Sequence, residues 1–274
     1  MSRKQVTLPL IINLPGDFTP FHEDIIIRYL ADQLHGRDDW RLATEAFGLL
    51  DSTTLTTDDN TVSLREFYRY FVDERFADRY LQALLGLTDV RRQSPTLWAE
   101  FARQIVQAFR QLPWQVDQQT GSRLCLSYLL YWWNAFARGY AFEVEIFQDL
   151  ERVGIQFQAH NLLDCNQRFS PSDLTVIGQA GDIKTSTYFL HIVRVPTHDF
   201  YVVRFANQGR FYTIVVMLQP SAWEAINGDT VDGDLSSVLK QLPRPIRISS
   251  DTSEFVIIEY NEWQQRILRR QGNL

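Results

Sequence analysis

The chain has 274 residues, 45% of them hydrophobic, with 18 Phe, 11 Tyr and 7 Trp, and 22% charged. That apolar content suffices for two domains or one elaborated domain and excludes a disordered chain. A formal net charge of −6 excludes a non-specific polyanion binder; the acidic surplus lies in the first two-thirds, leaving the last third near neutral and open to a nucleic-acid groove.

The start, MSRKQVTLPLIINLPGDF, is basic but has only a short apolar run, without a signal peptide's hydrophobic region or cleavage site. No run of about 18 apolar residues marks a membrane span, so the expected compartment is the cytoplasm, with no membrane partner. Cys125 and Cys165 have neither disulfide-framework nor zinc spacing and read as buried small hydrophobes in a reducing compartment.

Residues 5–12 read as a short strand or extended arm, and from Thr19 to Arg138 the pattern is helical. DIIIRYLADQL (24–34) carries apolar residues at helical spacing. Asp58-Asp59-Asn60 lacks the spacing and glycine of a calcium loop. Ser63 to Glu66 forms a capping-box signature ahead of FYRYFVDERF. In 94–112, Ser94 reads as an N-cap and Pro95 as the first helical residue, followed by Leu97, Phe101, Ile105 and Phe109 on one face. SRLCLSYLLYWWNAFA (122–137) is apolar nearly all round, which predicts a helix buried between layers; Tyr131, Trp132 and Trp133 read as core there.

After Gly139 the texture changes. YAFEVEIFQDLERV predicts a helix closed by Gly154, 155–160 a strand, 198–206 and 210–218 two long strands, and Pro220 the start of a short helix. Residues 254–260 read as a strand, and 261–270 as a closing helix capped by Asn261. On the helix after Gly139, Glu143 falls on the apolar stripe with Ile146, Phe147 and Leu150, whereas Glu145 falls with Gln148, Asp149 and Arg152 on a solvated face. An acid on a buried stripe is costly unless it is paired or metal-bound, so Glu143 is the candidate functional acid.

SPSDLTVIGQAGDIKTS (170–186) reads as a β-hairpin. A two-residue turn at Gly178-Gln179 sets Thr175 opposite Asp182 and Asp173 opposite Lys184; a turn at Gln179-Ala180 keeps the same parity. Asp173, Asp182 and Lys184 then share one face, with Leu174, Val176 and Ile183 on the other. Two carboxylates so placed repel one another unless a cation sits between them, and hard oxygen donors suit Mg²⁺. An adjacent lysine orients water and offsets phosphate charge.

A helix Glu at 143, a strand, Asp173 at a strand head and then Asp182-Ile183-Lys184 resemble the PD-(D/E)XK superfamily of restriction-endonuclease-like nucleases. Gly139, its neighbouring aromatic Tyr140 and Glu143 also resemble that family's first motif. The departures are Pro171, which stands two residues before Asp173, and an Asp as the third acid. The resemblance implies an α/β fold, a mixed-sheet αβββαβ core over 139–274, preceded by an all-α accessory region over 1–138. It implies Mg²⁺, or Mn²⁺ in its place, held by Asp173, Asp182 and the Ile183 carbonyl, with Glu143 serving a second metal or its water shell. It further implies that Lys184 positions the attacking water and that the substrate is a DNA phosphodiester. A homodimer for two-strand cutting and a recruiting protein partner are the expected assemblies, and the helical region is left for DNA recognition, dimerisation or partner binding. The alternative is a catalytically silent nuclease-fold protein that binds DNA or protein; an RNA-cutting enzyme of the same fold is a further one. His160, after the first strand, could flank the site but reads first as a hydrogen-bonded core or surface histidine, and His191 and His198 lie too far apart for local metal spacing. Arg194, Arg204 and Arg210 are candidate phosphate contacts.

Overall fold

The computed structural model describes residues 9–14, 52–57, 60–115, 117–164, 166–168, 170–185, 197–207, 211–227 and 255–272. The expected helix at 24–34, along with Cys165, His191, Arg194 and Arg210, lies outside them. The chain divides into two compact units: residues 1–88 with 92–138, and residues 89–91 with 139–274. Among the described residues no helix is long and apolar enough to cross a membrane.

The first unit is not all-α. Strands β1 (Ile11–Asn13), β2 (Thr54–Thr57) and β3 (Asn60–Ser63) form an antiparallel sheet in the order β1-β2-β3. Thr54, Thr56, Thr57, Thr61 and Val62 are β-branched and suit a pleated surface. Leu55 is fully buried, while Thr56 and Thr61 hydrogen-bond across the strands. Ser63 then caps α1 (Leu64–Tyr68): its hydroxyl accepts from the Glu66 N–H, and the Glu66 carboxylate accepts from the Ser63 N–H, the capping box expected from the sequence. A wider helical stretch (Arg69–Ala77) leads on into α2 (Asp78–Leu85).

Helix α3 spans Val90–Arg110, so it starts four residues before Ser94, and Pro95 lies inside it. Pro95 withholds only the N–H that would reach the Arg91 carbonyl, and Val90, Phe101, Ile105 and Phe109 on the same helix are buried. Helix α4 (Gln119–Val153) is continuous through Gly139, correcting the expected break. A lone interior glycine costs about 1 kcal/mol against alanine, and buried Leu124, Leu129, Trp133, Phe142, Ile146 and Leu150 along the helix outweigh that. In the first unit Trp133 packs with Tyr80 and Phe101, their ring centroids 5.0 and 5.9 Å away. Gly154, at φ +81°, ends α4: its N–H donates to the Glu151 carbonyl and the Ile155 N–H to that of Leu150, a Schellman closure.

The second unit holds a six-stranded mixed sheet, β4 (Phe157–Ala159), β5 (Leu174–Val176), β6 (Gln179–Lys184), β7 (Phe200–Asn207), β8 (Phe211–Leu218) and β9 (Val256–Glu259), in that spatial order. All neighbours are antiparallel except β6 and β7, which are parallel. Helix α5 (Pro220–Asn227) follows β8. Helix α6 (Tyr260–Arg270) follows β9 and is capped by Glu259, whose carboxylate accepts from the Glu262 N–H, rather than by Asn261. By register, Gln179, Phe200 and Arg204 share one face. They meet α5 through the Ala222 carbonyl, α6 through Trp263, and α4 through Glu145, so the three helices cover that face. The opposite face carries Asp182, Tyr201 and Val203.

The β5–β6 turn is Ile177-Gly178, one residue earlier than expected, and both residues have positive φ (+48° and +80°), as a type I′ turn requires. Asparagine is the usual first residue there; a β-branched side chain at positive φ costs about 1–2 kcal/mol. Gly181 has a steric role. A Cβ at that position would stand 2.2 Å from Cζ of Phe200, its neighbour across the parallel pair, and Phe200 is fully buried against Trp263. Gly181→Ala is therefore expected to destabilise the second unit by about 1–3 kcal/mol through overpacking. Chemical denaturation measures this, and a shift below about 0.5 kcal/mol would show that the Phe200 ring has room to move.

Candidate metal centre

The hairpin register runs Val176↔Gln179, Thr175↔Ala180 and Leu174↔Gly181, where the ladder ends; the Asp173 N–H turns back to the Gly181 carbonyl at 3.0 Å, so Asp173 doubles up with Leu174 as a bulge. The expected Asp173–Lys184 pair does not form; Asp173 is tied to β6 by its own N–H at the Gly181 carbonyl and by its carboxylate at the Ile183 N–H. The Asp173 and Asp182 carboxyl groups are neighbours, and Asp182 helps push the Asp173 carboxyl up. On the other side, the His160 N–H donates to the Asp173 carbonyl at 3.0 Å, continuing the β4–β5 ladder by one pair. His160 thus stands across from Asp173 at the end of one ladder, and Asp182 across from Tyr201 in another. Reciprocal hydrogen bonds fix the start of the β6–β7 pairing: the Ala180 N–H donates to the Asp199 carboxylate (2.8 Å) and the Asp199 N–H to the Ala180 carbonyl (2.9 Å).

Each acid has defined neighbours. Asp173 Oδ2 accepts from the Ile183 N–H at 2.7 Å. Asp182 Oδ1 takes the Lys184 ammonium at 2.6 Å, and its Oδ2 lies 3.9 Å from His198 Nδ1. His198 Nε2 meets the Pro171 carbonyl just upstream of Asp173, and Tyr201 Oη lies 3.3 Å from Nδ1. Glu143, reaching in from α4, places Oε2 3.2 Å from His160 Nε2. Apart from Lys184, which is 37% exposed, these side chains are largely shielded.

Three carboxyl groups thus crowd together beside a single lysine. Burial first, then the charge of Glu143, then the neighbouring Asp182, push the Asp173 carboxyl up to about 9, opposed only by the Ile183 N–H. The donor set is hard oxygen with one imidazole at its edge. It fits a divalent cation, because the crowding that holds Asp173 protonated is what a doubly charged ion relieves. Glu143, His160 and Asp173 bring ligand atoms within 4.8 Å of one another. Ile183 directs its N–H toward Asp173, and a strand residue points its N–H and C=O to the same side, so the Ile183 carbonyl also faces Asp173.

The structure thus brings Glu143, Asp173, Asp182 and Lys184 together and adds His160 and His198. His160 is the hydrogen-bonded, buried histidine that the sequence suggests, and it does flank the site; His198 lacks local metal spacing and is placed here by the fold. The available signal was strand parity, which puts His160 across from the hairpin's first acid. Two other assignments are corrected. Glu145 is buried, not solvated: Arg204 sits 2.7 Å and Arg91 3.1 Å from its carboxylate. Arg204, a candidate phosphate contact, is committed to that carboxylate and to the Phe142 ring at 4.3 Å.

Comparison with family models, curated proteins and solved structures found no significant match to this chain.

Proposed function

We propose that this protein is a Mg²⁺-dependent deoxyribonuclease, with Mn²⁺ able to substitute, built on a restriction-endonuclease-like unit. The observation that carries the reading is the convergence of Asp173, held on the Ile183 N–H, with its neighbour Asp182, whose carboxylate takes Lys184 at 2.6 Å. The sheet order supports it: among the described residues a helix, an antiparallel three-strand meander and a fourth strand parallel to the third agree with the strand part of an αβββαβ core.

Asp173, Asp182 and the Ile183 carbonyl would hold the cation, which when bound supplies Lewis-acid activation of water and charge neutralisation at the phosphate. Lys184, the most exposed member of the group, presents its ammonium where it orients a water for in-line attack and offsets charge growing on the phosphate oxygens. Asp182 fixes the Lys184 position. His198 holds the segment ahead of Asp173 through the Pro171 carbonyl. The near-neutral last third and the overall charge of −6 favour a focused DNA groove or recruitment by a protein partner. A homodimer would place two such sites about a two-fold axis for cutting both strands. The buried free thiol of Cys125 suits a reducing compartment such as the cytoplasm.

Incubating supercoiled plasmid with Mg²⁺ or Mn²⁺ tests the reading. The wild type is expected to nick or linearise it, and Asp182→Ala and Lys184→Ala to lose at least about 10²–10³-fold in rate. Equal cleavage by all three proteins removes the assignment. RNA as competitor separates DNA from RNA substrates.

A further inference from the structure

His160 has two ring nitrogens in different situations. Nε2 lies 3.2 Å from Glu143 Oε2, a hydrogen bond. Nδ1 is buried without any hydrogen-bond partner, on a side chain only 4% exposed. It faces Asp173 Oδ1 at 3.9 Å, too far for a hydrogen bond. Asp173 Oδ2 is occupied by the Ile183 N–H, so Oδ1 is the oxygen turned toward His160. An orphaned imidazole nitrogen facing a carboxylate oxygen across such a gap is the arrangement left when the atom between them is a cation. Two ligands each about 2.0–2.2 Å from a shared ion stand no more than about 4.4 Å apart, and 3.9 Å lies inside that limit.

We infer that His160 Nδ1 is a metal ligand beside Asp173, and that Glu143 is the carboxylate that orients His160 rather than a ligand of its own. Glu143 accepts the Nε2 proton, which places the lone pair on Nδ1; a carboxylate behind a metal-binding histidine fixes its tautomer and ring orientation in this way. His160 is also pinned through its backbone N–H to the Asp173 carbonyl, so both ligands come from one rigid cross-strand pair. An imidazole nitrogen moves an oxygen site away from Mg²⁺ toward first-row transition-metal dications. The inference deepens the metal-dependent reading of the same site, and it assigns the centre a selectivity that an all-oxygen site lacks.

The test loads the full chain with Mn²⁺ alone and records pulsed electron paramagnetic resonance. Electron spin-echo modulation from a coordinated ¹⁴N is expected in the wild type, lost in His160→Gln, and retained in His198→Gln and Glu143→Gln. Calorimetry should show His160→Gln weakening Mn²⁺ binding by about 10–100-fold while changing Mg²⁺ binding less; Glu143→Gln should weaken Mn²⁺ binding by about 10-fold. A wild-type spectrum without nitrogen coupling overturns the assignment and needs no variant to fold. So does coupling that survives in His160→Gln. Nitrogen coupling in a protein that leaves DNA intact would sink the nuclease reading and keep this one; cleavage without nitrogen coupling would do the reverse.

Discussion

Asp173→Asn is expected to make the metal-free protein more stable and to abolish the proposed metal-dependent cleavage. The Asp173 carboxyl, pushed up to about 9 by burial, Glu143 and Asp182, keeps its proton at neutral pH when no cation is present. In the unfolded chain the same group titrates near 3.9, so between those values the folded state holds a proton that the unfolded chain releases. Stability drawn from this group is therefore fully present below pH ~4, declines by up to ~1.4 kcal/mol per pH unit above it, and is lost as the pH passes the folded value. Asparagine keeps an oxygen for the Ile183 N–H and removes the titration. At pH 7–8 without metal its melting temperature should exceed that of the wild type by an amount corresponding to about 1–3 kcal/mol, at roughly 2–4 °C per kcal/mol. At pH 4 the two should converge. Adding Mn²⁺ should reverse the order, raising the wild type but not the variant. Thermal melts across pH, with and without Mn²⁺, test this; a variant less stable than the wild type at pH 8 without metal would mean the carboxyl group serves folding rather than a cation.

The sequence made the site's composition legible but not its pairing. Alternation along 173–184 puts Asp173, Asp182 and Lys184 on one face; in the structure the ladder ends at Leu174↔Gly181, and Asp173 reaches β6 through the Gly181 carbonyl and the Ile183 N–H instead. Which residues stand opposite depended on whether the turn began at Ile177, and a β-branched residue at positive φ is a choice that local propensity argues against. The place of His160 beside Asp173 is set by the ladder between β4 and β5, which chain spacing does not encode. The β2–β3 hairpin was passed over because its strands are four residues each and rich in threonine, giving no apolar alternation to notice. Gly139 was read as a break although burial on both sides of it carries α4 through. Strands β7 and β8, long and apolar, were legible from composition alone.

Helical periodicity placed Glu145 opposite the apolar stripe, and so in water; the structure places it in the core at 7% exposure. The difference arises because the α4 segment after Gly139 is covered on more than one side, with Phe142, Val144, Glu145, Ile146 and Phe147 all buried. The carboxylate is tolerated there because Arg204, on β7, reaches it at 2.7 Å while stacking on Phe142, and Arg91, mostly solvated, adds a second contact. Removing one partner of such a pair is costlier than removing both. Arg204→Met should lose about 3–5 kcal/mol, because it leaves a buried carboxylate with only the exposed Arg91. Arg204→Met combined with Glu145→Met should recover most of that loss, since two apolar side chains of similar volume bury without desolvating a charge. Chemical denaturation of both variants, with hydrogen exchange at the β7 amides to place the loss in the sheet, measures the difference. A double variant no better than Arg204→Met would mean the arginine acts through its packing on Phe142 and not through Glu145. The pair joins α4, which carries Glu143, to β7, the parallel neighbour of β6 with its Asp182. Its loss should therefore weaken Mn²⁺ binding as well as stability, even though neither residue lies among the proposed ligands.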